Sequence, residues 1–200
     1  ATTSEGWTAA METANANSAP WSMDWTTYES EHRRLAARYL RRDFETTSDK
    51  SISRAVAYVC GVGFFDLYVN GKLASDQLMN PALTGYDRRL LYVTLDITDH
   101  VKSGKNAIGV VLSNGHFFAA RVRQPVPMHN YGSPRMRCLL RIEYTDGTHK
   151  TVLSDQSWDA TAQGPIRNSN EFDGEEYDAR KEFPGWCNAG FSAREWTKAD

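Results

Sequence analysis

From residue 52 onward, apolar and polar positions alternate with a period of two in short runs bounded by turn residues. In ISRAVAYVCGVGFFDLYVNG, Ala55, Ala57 and Val59 fall on one strand face. Phe65, Leu67 and Val69 repeat the spacing before an Asn70-Gly71 turn. LLYVTLDIT, NAIGVVLSN, RMRCLLRIEYTDGTHKTVLS and a short run around Trp158 continue the series, and Asp146-Gly147 divides the longest run into a hairpin. Short strands separated by turn signals predict a sandwich or barrel rather than an alternating α/β fold.

The N-terminal third carries two patterns. YESEHRRLAARYLRRDFE reads as a charged helix, yet RYLRRDFE also sets Tyr39, Arg41 and Asp43 against Leu40, Arg42 and Phe44. We expect a loop or short helix feeding a strand at about residues 37 to 46, where it can pair with the sheet that follows. Residues 1–20 are small and polar and read as an arm, with Trp7 and Met11 available to dock it. Pro125, Pro127 and Pro134, with Asn130 and Gly132, mark 124–134 as a long irregular loop of the kind that often carries function on a β scaffold. The expected organisation is an arm over 1–20, a sandwich over 21–185, and a linker over 186–200 toward a following domain.

Two hundred residues suffice for one well-buried domain. The high aromatic share of 12%, with six Trp, suits a β core or a platform for sugar rings. A net charge of −2 supplies no basic field for phosphate backbones and argues against a dedicated nucleic-acid binder. The arginines from Arg33 to Arg42 are balanced by Glu29, Glu31, Asp43 and Glu45 and read as a solvated face. No stretch approaches the roughly 20 apolar residues of a membrane span, and the first twenty residues lack the charged and apolar regions of a secretion signal. Cys60, Cys138 and Cys187 have no CxxC spacing; Cys60 and Cys138 sit in apolar runs and read as buried free thiols.

The densest chemistry is FDGEEYDAR, residues 172–180, with four acids and one arginine. In an extended segment Glu175 and Tyr177 share one side, Glu176 and Asp178 the other. That arrangement serves an arginine–carboxylate network at an interface better than the facing carboxyl pair of glycoside hydrolysis. Asp173, Glu175, Glu176 and Asp178 also offer hard oxygen ligands, so calcium stands as an alternative, without the regular spacing of a D-x-D-x-D-G loop. The sequence holds no G-x-S-x-G elbow, H-E-x-x-H helix, Walker loop or dinucleotide fingerprint.

Several stretches taken in order resemble the N-terminal β-sandwich region of bacterial α-L-rhamnosidases, glycoside hydrolase family 78. They are ARYLRRDFE, the span AVAYVCGVGFFDLYVNGKLASDQLMNPALTGYDRRLLYVTLDITDHV, GKNAIGVVLSNGHF, RCLLRIEYTDGTHKTVLSDQSWDAT, and GPI followed by FDGEEYDAR, with a weaker match at WSMDWT. The most specific part is the ordered set Asn70-Gly71, Pro81, Tyr86, Arg89, Tyr92, Asp96 and Thr98. Many members carry Trp near the positions of Leu83 and His116, so this chain departs from the pattern there.

The resemblance implies an all-β jelly-roll sandwich of the galactose-binding-like type, without catalytic residues of its own. Its role would be to help recognise rhamnose-containing glycans or to brace the enzyme, with inverting hydrolysis placed in a separate helical toroid. An autonomous lectin-like module, with or without calcium, is the alternative. The implied partners are a rhamnose-containing glycan and the following domains, FSAREWTKAD being expected to lead into the next one. The implied location is the bacterial periplasm or exterior. Asn70, Tyr86, Arg88, Asn114 and His116 form the expected polar rim for substrate. Asn70 and Asn114 also suit plain turn formation before Gly71 and Gly115, and Arg88 suits a surface charge. Glu175, Glu176, Asp178 and Arg180 are the expected interface with neighbouring domains.

Overall fold

The computed structural model describes residues 35–119 and 131–199. The expectations for the arm at 1–20, the helical reading before residue 35, WSMDWT and most of the 124–134 loop lie outside the described residues. Among those described, the strands in chain order are β1 (Arg38–Glu45), β2 (Ile52–Val62), β3 (Phe65–Val69), β4 (Lys72–Leu73), β5 (Val93–Asp96), β6 (Lys105–Leu112), β7 (Arg135–Tyr144), β8 (His149–Leu153), β9 (Asp159–Thr161), β10 (Ile166–Asn170), β11 (Gly174–Tyr177) and β12 (Thr197–Lys198). The ambiguous RYLRRDFE segment is strand β1, paired along its whole length with β6.

The strands form a sheet in the order β12-β9-β1-β6-β3-β4, a second in the order β5-β2-β7-β8, and the separate hairpin β10-β11, with every strand pair antiparallel. The two larger sheets share one core. Phe65, Leu67, Val69, Ile108, Val110 and Leu112 from the first meet Ala55, Ala57, Val59, Leu140 and Ile142 from the second, with Trp158 buried among them. The period-two faces read from the sequence are therefore the core faces.

Turn chemistry fixes the registers. Asn70 and Gly71 both have positive φ, 51° and 78°, as a two-residue turn matched to the strand twist requires, and Val69 then pairs with Lys72. At the other predicted hairpin, Asp146 Oδ1 accepts from the backbone N–H and hydroxyl of Thr148 at 2.9 and 2.6 Å. Asp96 does the same for Thr98 at 3.0 and 2.6 Å, and the Thr98 hydroxyl accepts from Ala55 N–H at 3.0 Å, tying the end of β5 to β2.

The larger sheet is covered on its outer face as well. From Asn106 to Leu112 every position of β6 is buried. Tyr39, Val111 and Ala37 form a second cluster there with Tyr68, Ile166, Phe183, Trp186 and Trp196. Gly109 makes this possible: a Cβ at that position would lie 2.4 Å from the Trp186 ring, so only glycine lets the indole rest on the sheet.

Arg41 corrects the reading of the arginine run as a solvated face, since it is only 3% exposed. Strand alternation places it beside Tyr39 on the covered face. There its Nε donates to the Trp186 carbonyl at 2.8 Å and its terminal nitrogens to the Asn188 and Phe191 carbonyls at 3.2 and 3.4 Å. Asp43 accepts from the same guanidinium and, through its other oxygen, from Gly190 N–H at 3.1 Å. The chain then adds β12 to the sheet edge beside β9, and Ala199 N–H donates to the Trp158 carbonyl at 2.9 Å. The packed unit thus reaches past residue 185 to Ala199.

Each hydrogen bond to a charged group contributes roughly 1.5–3 kcal/mol, and removing one partner from a buried charged network costs about 3–5 kcal/mol. Arg41→Ala should therefore lower unfolding stability in urea by about 3 kcal/mol or more. Arg41→Lys should recover little, because an ammonium cannot reproduce the planar fork over three carbonyls. A loss under 1 kcal/mol for Arg41→Ala would contradict the assigned role.

All three cysteines are free. Burial pushes the Cys138 thiol up to about 12 and Cys187 to about 11, whereas Cys60 lies only partly buried. Thiols of the unfolded chain ionise near pH 8.5, so above that the unfolded state binds fewer protons than the native one. Stability should thus be intact below about pH 8 and fall as pH rises toward 11 and 12. Maleimide at neutral pH should label Cys60 first; equally fast native labelling of Cys138 would contradict this.

Candidate functional site

The expected polar rim divides between the two ends of the sandwich. Asn70 sits at the β3–β4 turn, where its amide donates to the His100 carbonyl at 2.8 Å and Asn106 Oδ1 at 2.7 Å, while its own Oδ1 accepts from Ala107 N–H at 2.9 Å. Both amide protons and the amide oxygen are thus engaged in holding the turn. Asn114 lies past the opposite end of β6, about 24 Å away along the strand at roughly 3.4 Å per residue. It is 1% exposed, with its amide donating to the Leu35 carbonyl at 2.7 Å. Sequence spacing alone could not separate them, since both precede a glycine in the same kind of motif.

Around Asn114 the structure does gather a site. Asn114 N–H donates to the Ser169 carbonyl, and Gly115 bridges Asn170, drawing this segment against the tip of the β10–β11 hairpin. A Cβ on Gly115 would meet Phe64 backbone nitrogen at 2.9 Å, so the close approach needs glycine. His116 consequently faces Glu171, Nδ1 to Oε2 at 2.5 Å, with the Phe172 ring 5.9 Å away. Beside them Tyr86 packs edge-on against Phe117 and Tyr131 at 5.2 and 5.0 Å, and Phe117 stacks on Tyr131 at 5.6 Å. Burial, then the charge of Glu171, raises the Tyr86 hydroxyl pKa.

Tyr86, Asn114 and His116 are thus brought to one end, while Arg88 is an exposed residue of the 85–89 turn on the same connection. Sequence reading missed Phe117, Tyr131, Glu171 and Phe172; the aromatic pair after Asn114-Gly115-His116 was the available signal. A ring cluster rimmed by a histidine–carboxylate pair can present an apolar face and hydrogen-bonding groups to a polyhydroxylated ligand.

FDGEEYDAR folds as the hairpin tip, strand β11 and a short 3-10 turn, 179–181. Asp178 caps that turn and pairs bidentately with Arg180, Nε to Oδ1 at 2.8 Å and Nη2 to Oδ2 at 2.9 Å. The guanidinium holds the Asp178 carboxyl down at about 2. The Arg180 side chain is 89% exposed, and such surface pairs contribute little to stability. Burial, then the charge of Asp66, raises the Glu175 pKa. The Tyr177 hydroxyl donates to Glu182 at 2.7 Å. Among the described residues no group of three or more His, Cys, Asp or Glu converges in a way that could hold a metal ion.

These features define an antiparallel jelly-roll module with its loops gathered at strand ends. The model of the α-L-rhamnosidase N-terminal domain matches residues 50–200, and the chain belongs to that family. It is 37% identical over 158 residues to an α-L-rhamnosidase of Formosa agariphila, covering 79% of this chain and 17% of that protein. An α-L-rhamnosidase of Streptomyces avermitilis is 35% identical over 192 residues, 96% of this chain and 18% of the relative.

Among solved structures, the Streptomyces avermitilis α-L-rhamnosidase complexed with L-rhamnose superposes with a TM-score of 0.76 at 36% identity, covering 82% of this chain and 16% of that one. The native enzyme from Aspergillus terreus gives 0.76 at 32% identity, over 83% and 19%. The chain therefore spans less than a fifth of the length of these relatives.

Proposed function

We propose that this sandwich is a non-catalytic accessory domain of an α-L-rhamnosidase, whose main task is to brace the domains beside it. The observation that carries this reading is the connection between β4 and β5. It exposes Leu78 at 83%, Met79 and Leu83 at 58%, Leu90 at 50% and Tyr92 at 67%. That is a large apolar display for one connection of a folded protein. The connection is held in place, with Phe65 N–H donating to the Asn80 carbonyl at 2.8 Å, Pro81 buried and Arg89 Nε donating to Thr84 at 3.1 Å. Most of the relatives' length lies beyond this chain's match and supplies the natural cover. In the same reading, the β11 edge with Glu175, Glu176, Asp178 and Arg180 offers a second, charged contact.

The parent's inverting hydrolysis then belongs to another domain, and its encounter with polymeric glycan places it outside the cytoplasm, secreted or periplasmic. Leu78→Ser combined with Leu83→Ser should lower the Tm of the full-length parent by about 2 °C or more, while leaving the Tm of the 200-residue chain unchanged. An unaltered parent Tm would overturn bracing by this connection. The chain alone should not hydrolyse an aryl α-L-rhamnoside; turnover that disappears in Glu175→Gln would overturn its non-catalytic assignment.

A second reading, glycan recognition, is favoured by the Tyr86, Phe117 and Tyr131 rings beside His116 and Glu171. Calorimetric titration with rhamnosyl oligosaccharides should then give saturable heat that Tyr86→Ala diminishes. Loss of that heat in chelator would assign a calcium requirement; no heat at millimolar sugar would leave bracing alone.

A further inference from the structure

A second concave surface lies on the outer face of the larger sheet, away from the Tyr86 cluster. It is a cleft of about 340 Å³, within the low end of the size range of small-molecule sites, roughly 300–1,000 Å³. Tyr39 forms its floor, 5% exposed, and meets Trp186 edge-on at 5.3 Å. Tyr68 and Trp186 make one wall at 5.5 Å from each other. Tyr177, 54% exposed, also lines the cleft, with its hydroxyl donating to Glu182. Asp66 opens into the same space, and Glu175 lies near enough that the Asp66 charge adds to burial in raising its pKa.

Three features give this cleft a chemical preference. Its rings are positioned by other packed groups rather than by a ligand: Tyr39 by Phe183 and Trp186, Tyr177 by Glu182. The Asp66 carboxylate in its lining and the nearby Glu175 make no hydrogen bond or ion pair among the described residues, and both have pKa values raised first by burial. The Tyr68 hydroxyl is likewise unengaged among the described residues, and its pKa is raised by burial and then by Asp66. Aromatic walls beside unpaired acceptors and a phenol donor suit a ligand that is apolar on its ring face and carries hydroxyl donors on its edge. A phosphorylated or carboxylated ligand is disfavoured by the two acids.

We propose that this outer-face cleft is a saccharide-binding subsite for an uncharged pyranose, with Tyr68, Tyr177 and Trp186 packing on the ring and Asp66 accepting its hydroxyls. The subsite does not rest on the bracing role or on the Tyr86 cluster; each stands or fails separately.

The test is a titration of the 15N-labelled 200-residue chain with methyl α-L-rhamnoside, followed by two-dimensional NMR. Saturable shifts should centre on the Trp186 indole N–H and the amides of residues 66–68 and 175–177. Tyr177→Ala and Asp66→Asn, both at exposed positions, should weaken binding at least tenfold, and Tyr86→Ala should leave these shifts intact. Shifts confined to residues 114–117 and 171–172 would overturn the proposal while supporting recognition at the other end. No saturable shift at either end would overturn it without touching the bracing role. Displacement of the sugar shifts by a lysine-rich peptide of higher affinity, lost in salt, would overturn it in favour of a docking groove for a basic protein segment.

Discussion

A single buried guanidinium holds the outer face of the larger sheet closed. Arg41 is a costly residue to bury, since removing a charge from water carries a penalty of several kcal/mol unless geometry repays it. Repayment comes from three backbone carbonyls, at Trp186, Asn188 and Phe191, from the carboxylate of Asp43, and from Phe191, whose ring lies 5.5 Å below the guanidinium carbon. Those carbonyls belong to an irregular segment with no sheet partners until β12. The arginine thus supplies the acceptor satisfaction that a strand would otherwise provide, and it does so in only one arrangement of that segment.

That arrangement shapes the outer-face cleft. With Trp186 pressed onto Gly109, its ring becomes a wall of the outer-face cleft rather than a solvent-exposed indole. The segment also stacks Trp186 on Trp196 at 6.3 Å and carries β12 to the edge beside β9. The β4–β5 connection, by contrast, is tied to β3 through the Asn80 carbonyl yet leaves Leu78, Met79, Leu83, Leu90 and Tyr92 exposed. One scaffold therefore presents a polar-aromatic concavity on a sheet face and an exposed apolar surface on a loop.

Much of this was legible in the sequence. Period-two alternation gave the core faces of β2, β3 and β7, and Asn70-Gly71 and Asp146-Gly147 gave their hairpins, because turn residues and alternation are local signals. What alternation could not show was the cover on the outer face. Arg41 looked solvated because its neighbours in sequence are charged, while its contacts come from residues some 145–150 positions later. A signal was nonetheless present: AIGVVL in β6 is continuously apolar rather than alternating, the mark of a strand buried on both faces. Asn70 and Asn114 were grouped as a rim by their identical Asn-Gly context, whereas antiparallel pairing sends them to opposite ends. The gathering of His116 and Glu171 depends on a long-range bridge between Gly115 and Asn170 that no spacing rule encodes.

The most direct measurement of the central claim is native-state hydrogen exchange of the 200-residue chain. If Arg41 and Gly109 lock the C-terminal segment onto the sheet, the amides of Trp186, Asn188, Trp196 and Ala199 should be protected, and those of Ile108 to Leu112 should exchange only through global unfolding. Exchange of residues 186–199 at the rate of free chain, with β6 still protected, would contradict the account.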